Sequence, residues 1–172
     1  MGDGSYEAKQ TERADQAEAE AKEAVVEADQ AEFHALRQAL CKGATDCHHV
    51  VDQGGGVLRQ PATGLEWTQS DNRGDINWND GRAWCASKGS NWRLPWVDEL
   101  LSIYDGSGSV ETSCGGSTCK VSPLFRLTDN LYWSGEANGS SEAWPVSLNY
   151  GDRYTGTVTS VYGNRVLCVR RS

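Results

Sequence analysis

The sequence predicts an α+β domain carried on a long amino-terminal helix, and three observations lead there. Residues 6–41 contain neither Pro nor Gly. Residues 43–172 hold all seven Trp, all four Pro and 17 of the 19 Gly, and are long enough to bury a core. Within that second stretch two amphipathic helical segments lie early and the second half is rich in short strand-like segments, with no repeat of a solenoid or propeller kind.

The first 42 residues are dominated by Ala, Glu, Gln and Asp, with Lys and Arg between them, a composition of strong helix formers. Ala14, Ala17, Ala21, Ala24, Ala28, Ala31 and Ala35 recur at three-four spacing, which reads as a coiled-coil seam of small side chains. Alanines bury little apolar area, so Val25, Phe33, Leu36 and Leu40 are expected to add grip. The expectation is a homo-oligomeric stalk over residues 1–42, a trimer favoured, with a solvated single helix or an acidic tail as the alternative. Lys42-Gly43 is expected to end it with a cationic last turn and a glycine stop. The opening Met1-Gly-Asp-Gly-Ser reads as a substituted start, so a native export or anchoring segment is expected to be absent.

Net charge is −8. Residues 1–42 contribute −5 and residues 43–172 contribute −3, with no basic run in either. Such a chain is repelled by phosphate backbones and anionic lipid, which argues against nucleic acid as a partner. No segment approaches the ~18 apolar residues of a transmembrane helix.

The six cysteines, Cys41, Cys47, Cys85, Cys114, Cys119 and Cys168, are an even number. Fifteen pairings are possible, but the close spacings favour Cys41–Cys47 and Cys114–Cys119, leaving Cys85–Cys168 as a long-range bridge. Three disulfides place the globular part outside the cytosol, on a cell surface, secreted or in the periplasm.

Taken in order, His48–Val51 and Val57–Arg59 are expected strands around a glycine-rich turn, and Leu65–Thr68 a third. A helix is expected from Trp78 to Ser87, with Trp78, Gly81, Trp84 and Cys85 on one face. A second helix is expected from Pro95 to Tyr104, with Pro95 in its first position and Val97, Leu100, Leu101 and Tyr104 at helical spacing. A Gly/Ser-rich excursion spans Asp105 to Lys120. Strands are then expected at 131–134, 143–148, 155–161 and 165–170.

Thr63-Gly64-Leu65 with Trp67, Trp78 with Trp84-Cys85, Trp92-Arg93-Leu94-Pro95 with Glu99-Leu100, and Pro123 with Phe125 occur in that order. Tyr132-Trp133-Ser134, Ala143-Trp144 with Val146, and Cys168-Val169-Arg170 complete the series. Over roughly residues 50–172 this set resembles the Lcl C-terminal domain family, named for a domain of a bacterial collagen-like surface adhesin. The resemblance implies a C-type-lectin-like fold with a mainly antiparallel sheet, and extracellular recognition in place of catalysis. It also implies that the Trp-Arg-Leu-Pro stretch holds the fold. The chain departs from the family at Gly81, where Ala is usual, at Gly135, where a second Ser follows Tyr-Trp-Ser, and at Leu167, where Arg commonly precedes the last Cys. The family's adhesin recognises sulfated polysaccharide, which needs cations. An acidic domain with one fewer Arg points away from that ligand.

Candidate ligand residues are Glu136, Asn138, Trp144, Asn149, Tyr150, Asp152, Arg153, Tyr154, Tyr162 and Asn164, in the loops where lectin-like folds usually contact ligands. Aromatic faces there would stack on sugar rings while amides and carboxylates bond hydroxyls. Asn77-Trp-Asn-Asp80 contains a triplet that calcium-dependent lectins use, but without a partner triplet, so a helix cap is favoured over calcium. Cys47-His48-His49 fits no familiar zinc spacing, Arg73-Gly74-Asp75 is too short to signify integrin binding, and Asn138-Gly-Ser140 reads as a turn. No nucleophile elbow, phosphate loop or histidine metal cluster is present, so no enzyme activity and no cofactor are expected. The reading is an adhesion module, with a glycan as the favoured ligand. A pilus or surface-fibre subunit and a phage or retroelement-diversified receptor-binding protein are the alternatives.

Overall fold

The computed structural model describes residues 4–171, and all their side chains except those of residues 4–7 and 22–30. The chain divides into two units, residues 1–36 and 37–172. The first consists of most of helix α1 (Gly4–Cys41). Of the alanine seam, Ala14, Ala17, Ala21, Ala31 and Ala35 are exposed, while Ala24, Val25 and Ala28 lie outside the described side chains. Lys42 does not sit in the last helical turn: it and Gly43 take left-handed φ values of 53° and 74°, and Gly43 N–H returns to Gln38 O.

The second unit is mixed α and β. One four-stranded antiparallel sheet has the order β1 (Val51–Gly54), β2 (Val57–Gln60), β3 (Leu65–Thr68), β10 (Val169–Arg171). A hairpin, β4 (Thr112–Cys114) and β5 (Ser117–Cys119), lies within the Gly/Ser-rich excursion. The other sheet has the order β8 (Gly156–Thr157), β7 (Glu142–Ser147), β6 (Leu131–Asn138), β9 (Asn164–Arg165), with β6 and β9 parallel. Helices α2 (Trp78–Ala86) and α3 (Val97–Ile103) precede it.

Several boundaries differ from expectation, each for a visible reason. His48 and His49 belong to a turn and not a strand, because the Cys41–Cys47 disulfide and the His49 N–H to Asp46 O bond fold the chain back there. Pro95 is not in the first helical position. Its carbonyl accepts the Gly135 N–H at 2.8 Å, which keeps it extended, and the helix begins after Trp96. Only Gly156–Thr157 of the 155–161 segment is strand, since Val158 turns to bond both Ser141 and Trp78. The closing strand is broken: Val166 N–H goes to Asn72 Oδ1 and Cys168 N–H to Thr68 Oγ1, so side chains replace a sheet neighbour.

Disulfides join Cys41–Cys47, Cys85–Cys168 and Cys114–Cys119, the three pairs favoured from spacing. Cys85 and Cys168 sit in a core with Trp92, Leu94, Trp133 and Val166. Two buried polar hubs are satisfied internally. Gln60, fully buried, donates to Cys47 O and Ser102 Oγ and accepts from Thr63 Oγ1 and Trp67 Nε1. Asp71 accepts from Thr128 N–H, Arg73 N–H and the Tyr132 hydroxyl. Leaving any such group unpaired would cost about 1–3 kcal/mol, so these networks fix how the loops meet. Among the described residues no helix is long and apolar enough to cross a membrane.

Candidate functional site

Helix α3 begins where it does because three carboxylates gather at its N-terminus. Glu99 Oε1 accepts the Trp96 N–H, Asp98 Oδ1 accepts the Glu99 N–H, and Glu136 Oε1, from strand β6, accepts the Val97 N–H at 3.2 Å. These are the unpaired donors of a helix start, and negative charge is favoured there. Glu99 is also held by Arg93 through two bonds of 2.7 and 2.9 Å. The Arg93–Glu99 pair therefore serves the fold, as the motif's role implied.

Glu136 is half-buried, and burial pushes its carboxyl above the usual range. The Val97 N–H opposes that shift, Asp98 adds to it and Arg153 opposes it. Burial likewise raises Asp98, with Glu99 reinforcing the effect. Arg153 comes from the segment after β7, which folds back on that strand through Ser147 N–H to Asp152 O and Tyr154 N–H to Pro145 O. The fold-back sets the Arg153 guanidinium 3.7 Å from the centre of the Trp144 ring. Trp144, Arg153 and Glu136 are thereby brought into one neighbourhood: an aromatic surface, a cation and a partly desolvated acceptor.

The other expected residues are spread more widely. Asn138 sits at the tip of the β6–β7 hairpin, its amide 3.5 Å from Glu142. Asn149 and Tyr150 form a turn whose N–H groups bond Ser147 Oγ, with Tyr150 66 % exposed. Asp152 and Tyr154 flank Arg153 and are exposed, and Tyr162 is 84 % exposed. Asn164 is a correction. It lies buried in β9 with its backbone carbonyl bonded to Ile76 N–H, and its Oδ1 has no partner among the described residues.

Sequence reasoning missed Trp96, which is 43 % exposed with Arg93 over its ring at 5.1 Å. The signal available was its place directly before a helix, where a large apolar side chain at the cap has no interior to enter. Trp78, Trp84 and Trp92 are covered by Arg82, Lys88 and Arg170 respectively, whereas Trp67 and Trp133 are fully buried.

The remaining motifs resolve locally. Asn77 Oδ1 accepts the Asp80 N–H and caps α2. Asp75 pairs with Arg165. His48 faces Asp105 at 3.9 Å. Among the described residues there is no group of three or more His, Cys, Asp or Glu that would hold a metal ion.

Residues 56–170 match the family model of the Lcl C-terminal domain. No curated protein matches the chain.

Proposed function

From the premise that the chain belongs to the Lcl C-terminal domain family, we propose that it is a non-catalytic extracellular recognition module. Its head has a C-type-lectin-like fold and engages a glycan. The observation that carries this reading is the Trp144–Arg153–Glu136 neighbourhood, where an indole offers C–H stacking and two opposite charges offer hydrogen bonds to hydroxyls. Three disulfides and the resemblance to a surface adhesin support an extracellular setting. The exposed alanines of α1 support an oligomerising stalk, and joining several weak heads raises avidity without new contacts.

A glycan array probed with the oxidised chain, together with its mass in solution, tests the proposal. The expected result is selective retention on one glycan class by an oligomer, with a trimer favoured. No retention on any glycan, combined with filament formation, would overturn it in favour of a structural subunit. A monomeric mass would remove the stalk from the proposal.

A further inference from the structure

Between α2 and the segment 92–96 lies an open cleft of about 460 Å³ that shares no lining residue with the Trp144–Arg153 face. One wall is the exposed side of α2, where Arg82, Ala83 and Ala86 stand at helical spacing. Trp92 and Trp96 form the other, and Gly135 also lines it. A Cβ at residue 135 would lie 3.3 Å from both Leu94 O and Trp96 Cζ3, so glycine leaves the Trp96 indole its position.

The lining carries two guanidiniums and no carboxylate, in a chain whose net charge is −8. The two cations are not equivalent. Arg93 is compensated by its two bonds to Glu99. Arg82 lies over Trp78 at 4.8 Å, and among the described residues no carboxylate pairs with it. Stacking leaves the edge of a guanidinium, where its donors are, open to a ligand. Asn79, one turn earlier on the same helix, adds an amide to that rim.

We infer that this cleft is a second binding subsite, for a sugar ring bearing a single carboxylate. Arg82 takes the carboxylate, the exposed indole of Trp96 takes the ring C–H groups, and Ala83 and Ala86 leave the room the ring needs. One uncompensated cation matches one carboxylate, whereas a sulfated chain calls for a row of cations. A peptide is a poorer fit, because the cleft offers side chains and little free backbone: the Leu94 carbonyl is already taken by Arg93. The inference stands apart from the Trp144 face and does not need it.

Calorimetric titration of the oxidised chain with trigalacturonate and with sialyllactose tests this, using the methyl ester of trigalacturonate as the neutral control. At least one acid is expected to bind, with the ester and Arg82→Gln each weakening binding about tenfold, the scale of a charge-assisted hydrogen bond, and with Gly135→Ser weakening it by displacing the Trp96 indole. Trp144→Ala is expected to leave this binding unchanged, which separates the result from the proposed function. Failure of both acids to bind, equal binding of the ester, or insensitivity to Arg82→Gln would overturn the inference. So would a sulfated trisaccharide or a glutamate-rich peptide that binds more tightly than either acid through Arg82.

Discussion

Arg153 lies over the ring of Trp144, its Cζ 3.7 Å from the centroid. The pair is made by a fold-back of the chain and not by sequence proximity, so its geometry depends on the two backbone bonds at Ser147 and Tyr154. Removing the indole removes the aromatic surface while those bonds remain. Trp144→Ala is expected to lower retention on the glycan found by array about tenfold, near the ~1.4 kcal/mol scale of an aromatic contact. Arg153→Lys keeps the charge but loses the planar stack, and an intermediate loss is expected. Surface-immobilised binding measurements on the two variants check both.

Gly81 of α2 faces Val166, and a Cβ there would lie 2.8 Å from Val166 Cγ2. Val166 is fully buried. Alanine would raise helix propensity by about 1 kcal/mol, but overpacking costs about 1–3 kcal/mol, so Gly81→Ala is expected to destabilise the domain. Val166→Ala should relieve that clash. Urea unfolding of both single variants and the double variant should therefore show a double-variant loss smaller than the sum of the singles.

The Cys85–Cys168 bridge closes a loop of sequence separation 83, against separations of 6 and 5 for the other two. Loop-closure entropy assigns about 4.5 kcal/mol to the long bridge and about 2 kcal/mol to a short one. Paired Cys→Ala variants are expected to follow that order in urea midpoints, with Cys85/Cys168 the most damaging. Equal losses for all three pairs would contradict it.

Two kinds of carboxylate give opposite pH dependences. Burial tends to raise Asp105, but hydrogen bonds from Ser109 and Ser107 and the charge of His48 overcome it and hold the carboxyl well below the usual range. A folded pKa that is depressed contributes stability above the unfolded value near ~4, and that stability is lost as pH falls toward the folded value. Asp105→Asn is thus expected to cost roughly 2 kcal/mol at pH 7 and progressively less in acid. Glu136 and Asp98 are raised by burial, so the folded state keeps their protons longer and their contribution declines as pH climbs through the folded values. Glu136→Gln should compare more favourably with the parent at pH 7 than at pH 4. Unfolding curves across that range measure both.

What the sequence made legible was local. The Asn77 cap and the start of α2 follow from a side chain and its near neighbours, as does the Cys114–Cys119 disulfide. Pro95 misled because its carbonyl bonds Gly135, forty residues away, and no local rule carries that information. Asn164 looked like a loop residue, since an exposed asparagine and one buried in β9 have the same chemistry on the page. Arg153 and Trp144 were both named, but their stacking required the fold-back. The cleft at Trp96 required Gly135, Trp92 and α2 to converge, which spacing alone does not announce.

The bridge from α2 to the residue before β10 encircles most of the candidate ligand surface. Every exposed turn from Asn138 to Tyr162 lies inside that covalent ring. A protease that cuts once in any of these turns yields two pieces still tied together, and still clasped by β10 between β3 and the Arg93 bridge. Such a nicked head would migrate as one band without reductant and as two with it.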